Sequence, residues 1–144
     1  MPALRRRSLL VLSALLCLAA TGCVSLTDPF SHEDDFRQIQ KRFTQYVRWG
    51  KIHEASVFVV EDQRDEFLAL APELSDIRFT DWEVTKLDYG AESAHVDVML
   101  QGYRLNQPVE RTVHLAQQWN KAEDKGWLVR LELAEIKTGL GTTR

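Results

Sequence analysis

The feature that most constrains the fold is a change of hydrophobic period near Asp76. Beyond this residue apolar and polar side chains alternate, which is typical of strands that bury one face. The alternation runs through four stretches: Ile77 to Tyr89, Glu92 to Leu105, Pro108 to Asn120, and Gly126 to Lys137. Because the links between them are short, we expect an antiparallel meander.

Two turn pairings set the predicted register of this sheet: Arg104 opposite Val109, and Trp119 opposite Trp127. Both pairings gather the aliphatic residues on one face, whereas a slip of one residue would scatter them over both. This predicted inner face holds Val96, Val98, Leu100, Val113, Leu115, Val129, Leu131 and Leu133. The coherence of the two registers indicates that one face of the sheet is buried.

The residues before Asp76 predict three helices. The first has Ser31 as its N-cap and ends at Gly50, the second runs from Lys51 to about Val60 with strand character near its end, and the third runs from about Gln63 to Leu70. The first helix has an apolar stripe with spacings of three and four residues: Phe36, Ile39, Phe43, Tyr46 and Val47. Pro72 is expected to stop the third helix. These helices are the available cover for the sheet, so the fold class is α+β.

N-terminal helices packed on a curved four-stranded antiparallel sheet resemble the NTF2-like fold, also grouped as cystatin-like. QQWNKAEDKGWLVRLE is similar to the end of many such domains, in which a strand ends in tryptophan and Gly-Trp begins the last strand. We assign residues 31–137 to this domain and 138–144 to a flexible tail. The short hairpin that usually follows the first two helices is missing, which predicts that the pocket between helices and sheet is small or filled.

The same resemblance supplies the enzymatic alternative. In related ketosteroid isomerases and dehydratases, an acid or a histidine projects from the sheet into an apolar cavity, where desolvation tunes it for proton transfer. The predicted inner face has no acid, and its polar members are Gln117 and Arg111, the latter opposite Glu135. The first strand has no clean face, which leaves Asp81 or Glu83 as the catalytic alternative.

The outer face of the sheet carries candidate metal ligands, with His114 predicted to lie opposite Glu132. The weak candidate set is His95, Asp97, His114 and Glu132. Two histidines and two carboxylates suit a transition metal. We favour a solvated face with cross-strand ion pairs, because an open face excludes no water, and we therefore expect no metal and no cofactor.

The N-terminus combines three arginines, Arg5 to Arg7, with an apolar run from Leu9 to Ala20 and the sequence LAATGC, which ends at Cys23. The run is too short to span a bilayer and is typical of an export signal. Its end resembles the lipobox of bacterial lipoproteins, with Ala20 where leucine is commonest. The alternative is an ordinary cleaved signal with a chance cysteine.

The lipoprotein resemblance implies cleavage before Cys23, a thioether to diacylglycerol, and acylation of the new amine. Residues 1–22 are then the signal peptide and 23–30 a lipidated tether. Val24 after the cysteine implies sorting to the outer membrane. Cys17 is removed with the signal, so the mature chain has a single cysteine and no intramolecular disulfide.

Charge excludes one class of partner. Removal of the signal leaves 15 basic and 21 acidic residues, a net charge of −6, and nucleic acid would repel such a body. We therefore expect a non-catalytic binding or accessory module of the cell envelope, anchored in the lipid bilayer and facing the periplasm, and favour a protein partner over a small molecule. A third hypothesis is a homodimer formed through the outer sheet face, where Met99, Tyr103 and Leu128 interrupt the charges.

Overall fold

The computed structural model describes residues 29–139, with side chains from residue 32 onward. Its elements, in chain order, are α1 (Pro29–Arg48), α2 (Ile52–Ser56), a 3-10 turn (Glu61–Gln63), α3 (Arg64–Leu68), α4 (Ala71–Leu74), β1 (Ile77–Tyr89), β2 (Ser93–Arg104), β3 (Gln107–Ala122), β4 (Gly126–Leu131) and α5 (Leu133–Gly139). The strands form one antiparallel sheet in the order β1-β2-β3-β4. The predicted α+β class and four-stranded antiparallel sheet are confirmed. The predicted signal peptide, Cys23 and the tether up to residue 28 lie outside the described residues.

Helix α1 ends at the predicted glycine. Gly50 has a φ of +69°, the left-handed conformation that glycine adopts without a Cβ clash. Its N–H donates to the carbonyl of Val47 at 3.0 Å, and the N–H of Lys51 donates to that of Tyr46 at 2.8 Å. These two bonds satisfy carbonyls that the last turn leaves free, which is the Schellman pattern of helix ends.

Prolines open two of the helices. Helix α1 begins at Pro29, so Ser31 lies inside it and the predicted N-cap is wrong. Pro72 lies in the first turn of α4 and does not stop the helix before it, because α3 already ends at Leu68. Proline fits a first turn because its missing N–H has no helical partner there.

The second predicted helix is shorter than expected. Helix α2 ends at Ser56, and the chain then forms a parallel bridge between Val59 and Val129 of β4. The N–H of Val60 donates to Val129 at 3.0 Å, and that of Val129 donates to Phe58 at 2.7 Å. The strand character expected from this β-branched segment is confirmed.

Strands β2 and β3 pair in the predicted register over the core. Val98 lies opposite Leu115, Met99 opposite His114, and Leu100 opposite Val113. At the turn the register shifts between Gly102 and Arg104, so Arg104 lies opposite Gln107 and not opposite Val109. The error is confined to the end of the hairpin and leaves the buried face unchanged.

Strands β3 and β4 are offset from the prediction by two residues. Trp119 lies opposite Val129, and Trp127 lies opposite Lys121. The pairing continues to Ala122 opposite Gly126, whose φ of +72° closes a turn shorter than the one assumed. A shift of two residues preserves the side-chain parity, so the inner face is still the predicted one.

The last predicted strand ends early. Strand β4 stops at Leu131, and Leu133–Gly139 form α5, which packs on β3 and buries Leu133 and Ile136. The predicted pairs of His114 with Glu132 and of Arg111 with Glu135 are therefore wrong, because Glu132 and Glu135 lie beyond the strand. Helix α5 also includes the first two residues, 138 and 139, of the predicted tail.

Two irregularities in β1 explain why its sequence does not show one apolar and one polar face. The register with β2 shifts at Thr80 and again at Thr85, and each extra residue reverses the alternation that follows. The hydroxyl of Thr85 donates to the carbonyl of Asp97 in β2 at 3.1 Å, and that of Thr80 donates to Glu110 Oε1 in β3 at 2.8 Å. The inward residues of β1 belong to the core or pack against it: Ile77, Phe79, Trp82, Val84, Leu87 and Tyr89.

The core lies between α1 and the inner face of the sheet. All eight predicted inner residues are buried, each at most 4% exposed. At its centre Phe36 and Phe43 of α1 meet the edge of Trp119, with ring centroids 5.7 and 5.5 Å away. This interior is made of side chains and leaves little room for a ligand.

Candidate functional site

A cavity of about 160 Å³ lies between α1 and the strands β1 and β2, where the NTF2-like resemblance predicts a pocket. Most of its walls are apolar, with Trp82, Val84 and Leu87 from β1. The polar lining comes from α1, as Gln40 and the basic residues Arg37 and Lys41. Ligand pockets usually have volumes of roughly 300 to 1,000 Å³. The cavity is below that range, and none of the residues that line it is acidic.

The two candidate catalytic acids do not reach this cavity. Asp81 and Glu83 are exposed and lie opposite Gln101 and Met99 on the outer face of the sheet. The irregularity at Thr80 gives the inner position to the intervening tryptophan, and Asp81 Oδ1 accepts the backbone N–H of that residue at 2.8 Å. The expectation that one of these acids could point inward is wrong.

A buried polar cluster crosses from α1 to β3 beneath the helix. Gln117 Oε1 accepts two hydrogen bonds, from Trp119 Nε1 at 3.0 Å and from Gln40 Nε2 at 3.3 Å. Gln40 Nε2 also donates to the hydroxyl of Thr44 at 3.0 Å. Of the two polar residues predicted on the inner face, Gln117 is fully buried, whereas Arg111 is exposed.

The amide nitrogen of Gln117 has no partner among the described residues. Exchanging its amide N and O would not help, because the indole N–H of Trp119 only donates and would then face an NH₂ group. The orientation is therefore fixed by Trp119, and the core contains an unpaired donor. Such a group reduces stability by about 1 to 3 kcal/mol.

The predicted metal ligands do not converge. His95 and Asp97 share one face of β2, and His114 lies across from Met99, whereas Glu132 follows β4 and its N–H donates to the carbonyl of Ala116 at 3.3 Å. Within residues 32–139, no three His, Cys, Asp or Glu side chains are grouped so that they could hold a metal ion.

An ion pair connects the outer face of the sheet to the 3-10 turn. Arg130 of β4 donates to both carboxylate oxygens of Asp62 in the 3-10 turn, at 2.8 and 2.6 Å. The hydrogen bond from Arg130 is the main reason why the pKa of Asp62 is lowered. Both side chains are largely exposed, so this pair adds little to stability at physiological salt.

A larger pocket, of about 370 Å³, opens at the C-terminal end of α1. We call it the basic pocket; its lining residues are Arg48, Trp49, Gly50, Ala71, Leu74, Ser75, Ile77, Arg78 and Phe79. They come from the end of α1, from α4 and from the start of β1, and none is acidic. Its volume lies within the range of ligand sites.

The two arginines of the basic pocket bond to carbonyls. Arg48 Nη2 donates to the carbonyl of Thr80 at 2.7 Å, and Arg78 Nη1 donates to those of Ser75 and Ile77 at 3.2 and 2.9 Å. In the described part of the chain neither guanidinium forms a salt bridge, and Arg48 Nε is buried with no partner.

An exposed tryptophan borders the same pocket. Trp49 is 69% exposed, and its ring centroid lies 5.3 Å from the guanidinium carbon of Arg48. The sequence analysis did not predict this site. The sequence contained a weak signal, namely an arginine and a tryptophan directly before a helix-ending glycine, but nothing that linked them to Arg78.

No protein-family model and no curated protein matches this chain. No helix among the described residues has the length and hydrophobicity that a membrane span requires. Among solved structures, the chain is similar to a SEC-C motif-containing protein from Rhodopseudomonas palustris, determined in solution, with a TM-score of 0.53 and 15% identity over 65% of this chain and 73% of that one. At that identity the likeness concerns the fold alone, an α+β arrangement of helices and sheet.

Proposed function

We propose that this chain is a lipid-anchored lipoprotein of the bacterial cell envelope whose NTF2-like domain acts by binding and not by catalysis. Acylated Cys23 holds it in the outer membrane, facing the periplasm. The anchor is supported by the sequence LAATGC after a short apolar run, and the domain assignment by the order of helices followed by an antiparallel meander.

The observation that carries the non-catalytic part is the filled interior. The space between α1 and the sheet measures about 160 Å³, has no acidic lining residue, and is bordered mostly by aliphatic and aromatic side chains. Proton transfer in a pocket requires an acid or base placed within reach of the substrate. Asp81 and Glu83 are on the other face of the sheet, so the isomerase or dehydratase alternative lacks its proposed group.

The anchor is tested with Cys23→Ser in the full chain, expressed in a Gram-negative host. We expect the unaltered chain to be acylated and to sediment with the outer membrane, because two or three acyl chains give stable anchoring. The serine variant should be neither acylated nor membrane-bound.

Cys17→Ser is the matched control, since it removes the other cysteine, within the predicted signal, and should leave acylation and sedimentation unchanged. Mass spectrometry of the mature N-terminus reads the result directly. An unmodified Cys23, or cleavage at another bond, would refute the lipoprotein proposal.

The catalytic alternative is tested by replacing Asp81 with Asn and Glu83 with Gln. Exposed acids should change the free energy of unfolding by about 0.5 kcal/mol or less, measured by urea melts at pH 5 and pH 7. A carboxylate desolvated in a pocket would oppose folding when ionised. A gain of about 1 kcal/mol at pH 7 that vanishes at pH 5 would therefore favour the enzyme.

A further inference from the structure

We infer that the basic pocket at the end of α1 binds a small phosphate monoester with an apolar or aromatic body. Arg48 and Arg78 supply two positive charges, and Trp49 supplies an exposed apolar surface beside them. This inference goes beyond the proposed function and does not depend on the lipid anchor.

The first step of the argument is the uncompensated charge. A carbonyl holds a guanidinium in place but does not neutralise it, and no acidic residue lines the pocket. The neighbouring acid in the sequence, Asp76, is already bonded to Arg104, whose Nη1 lies 2.9 and 2.7 Å from its two carboxylate oxygens. Two positive charges that line one pocket without an acidic lining residue favour the entry of an anion.

The second step is the charge of that anion. A carboxylate would compensate one guanidinium, whereas a phosphate monoester carries about −1.5 to −2 charges at neutral pH and three acceptor oxygens. Only one terminal nitrogen of each arginine is bonded to a carbonyl, so the other terminal nitrogen of each has no acceptor among the described residues. Guanidinium groups match phosphate oxygens in geometry as well as in charge.

The third step is the body of the ligand. Trp49 does not belong to the core and, at 69%, is the most exposed large apolar side chain among residues 32–139. The pocket volume of about 370 Å³ exceeds what a bare phosphate needs. Apolar lining from Leu74, Ile77 and Phe79 extends the same surface. A phosphate attached to an aromatic or apolar group would use both parts of the pocket.

The test is calorimetric titration of the purified full chain with three probes: phenyl phosphate, inorganic phosphate and benzoate. We expect phenyl phosphate to bind tightest, because it alone combines a near-dianionic head with an aromatic body. Arg48→Gln and Arg78→Gln should each weaken it by about tenfold or more, as loss of a charge-assisted pair does. Trp49→Ala should bring its affinity close to that of inorganic phosphate.

Arg42→Gln is the matched control, because it removes the same charge from an exposed position of α1 outside the pocket, and it should change affinity less than about twofold. Thermal melts show whether each variant is folded. If Arg48→Gln fails to fold, Arg78→Gln alone tests the inference, because Arg78 bonds only to carbonyls of nearby residues, Ser75 and Ile77. The inference is overturned if phenyl phosphate does not saturate the protein below about 10 mM, if benzoate binds equally well, or if Arg42→Gln weakens binding as much as the pocket variants.

Discussion

The buried amide of Gln117 leads to a prediction whose size depends on its neighbour Trp119. Gln117→Met replaces the amide by an apolar side chain of similar length and removes the unpaired Nε2 donor, which should stabilise the protein. It also removes the acceptor of two buried donors, the indole N–H of Trp119 at 3.0 Å and Gln40 Nε2 at 3.3 Å. Each unpaired buried group reduces stability by about 1 to 3 kcal/mol, so one gain stands against two losses and Gln117→Met should destabilise the protein by about 1 to 3 kcal/mol.

In a Trp119→Phe background the loss at the indole is absent, because phenylalanine has no N–H to leave unpaired. The gain from removing Gln117 Nε2 and the loss at Gln40 Nε2 should then nearly cancel, so Gln117→Met should change stability little relative to Trp119→Phe alone. The cavity created by the smaller ring is present in both arms of the cycle and cancels. The expected coupling energy between the two sites is therefore about 1 to 3 kcal/mol.

Urea melts of the four chains measure this cycle. Gln118→Met is the matched control, since the adjacent side chain is exposed on the outer face and should give less than about 0.5 kcal/mol in either background. A coupling energy below about 0.5 kcal/mol between Gln117 and Trp119 would refute the hydrogen-bond argument.

Two further predictions concern the sheet and its ion pair. Leu115→Ala should destabilise the protein by about 2 to 5 kcal/mol in denaturant melts and His114→Ala by no more than about 0.5, because Leu115 is 1% exposed and His114 faces solvent; the reverse order would mean that the faces are inverted. Arg130→Gln should raise the lowered pKa of Asp62 toward its ordinary value of 3.8, read by an NMR titration of the carboxyl carbon. Because the pKa of Asp62 is lowered in the folded protein, the contribution of the ion pair to stability is present above pH 3.8 and is lost as the pH falls through the folded pKa. An unchanged titration in Arg130→Gln would exclude Arg130 as the cause of the lowered pKa.

The faces of the sheet were predictable because parity survives register errors of two residues. The turn before β4 was predicted too long, yet Val129 and Leu131 remained inside, since a shift of two positions returns each side chain to the same face. In β1 the alternation itself is interrupted, at Thr80 and Thr85. No local sequence pattern identified those irregularities, so the orientation of Asp81 and Glu83 could not be fixed in advance.

Helix α5 was missed because its sequence fits two periods. Leu131 and Leu133 have the spacing of a strand face, whereas Leu133 and Ile136 have the spacing of a helix face. The structure resolves the ambiguity through packing: β4 ends at Leu131, opposite Gln117, and the following helix α5 packs on β3 near Val113. A Cβ added to Gly139 of α5 would lie 3.0 Å from that valine, which shows how closely the helix covers it.

The basic pocket could not be predicted for a different reason. Arg48 and Arg78 are far apart in sequence, and each alone resembles an ordinary surface arginine. They meet because the end of α1 lies beside the start of β1, where Arg48 reaches the carbonyl of Thr80. Only tertiary structure brings the two charges to one pocket and shows that no acidic residue is among those that line it.

The net charge of the chain does not determine the charge of that pocket. Among the described residues, the basic side chains in salt bridges are those of Arg37, Arg104, Lys125, Arg130 and Lys137. Arg48 and Arg78 instead bond to backbone carbonyls, which orient a guanidinium without cancelling its charge. Since salt screens distant charges beyond roughly 8 Å at physiological ionic strength, the acidic surface elsewhere does not cancel the positive potential inside the pocket. A negative net charge argues against a nucleic-acid partner, but it does not argue against a small anion held by two fixed arginines.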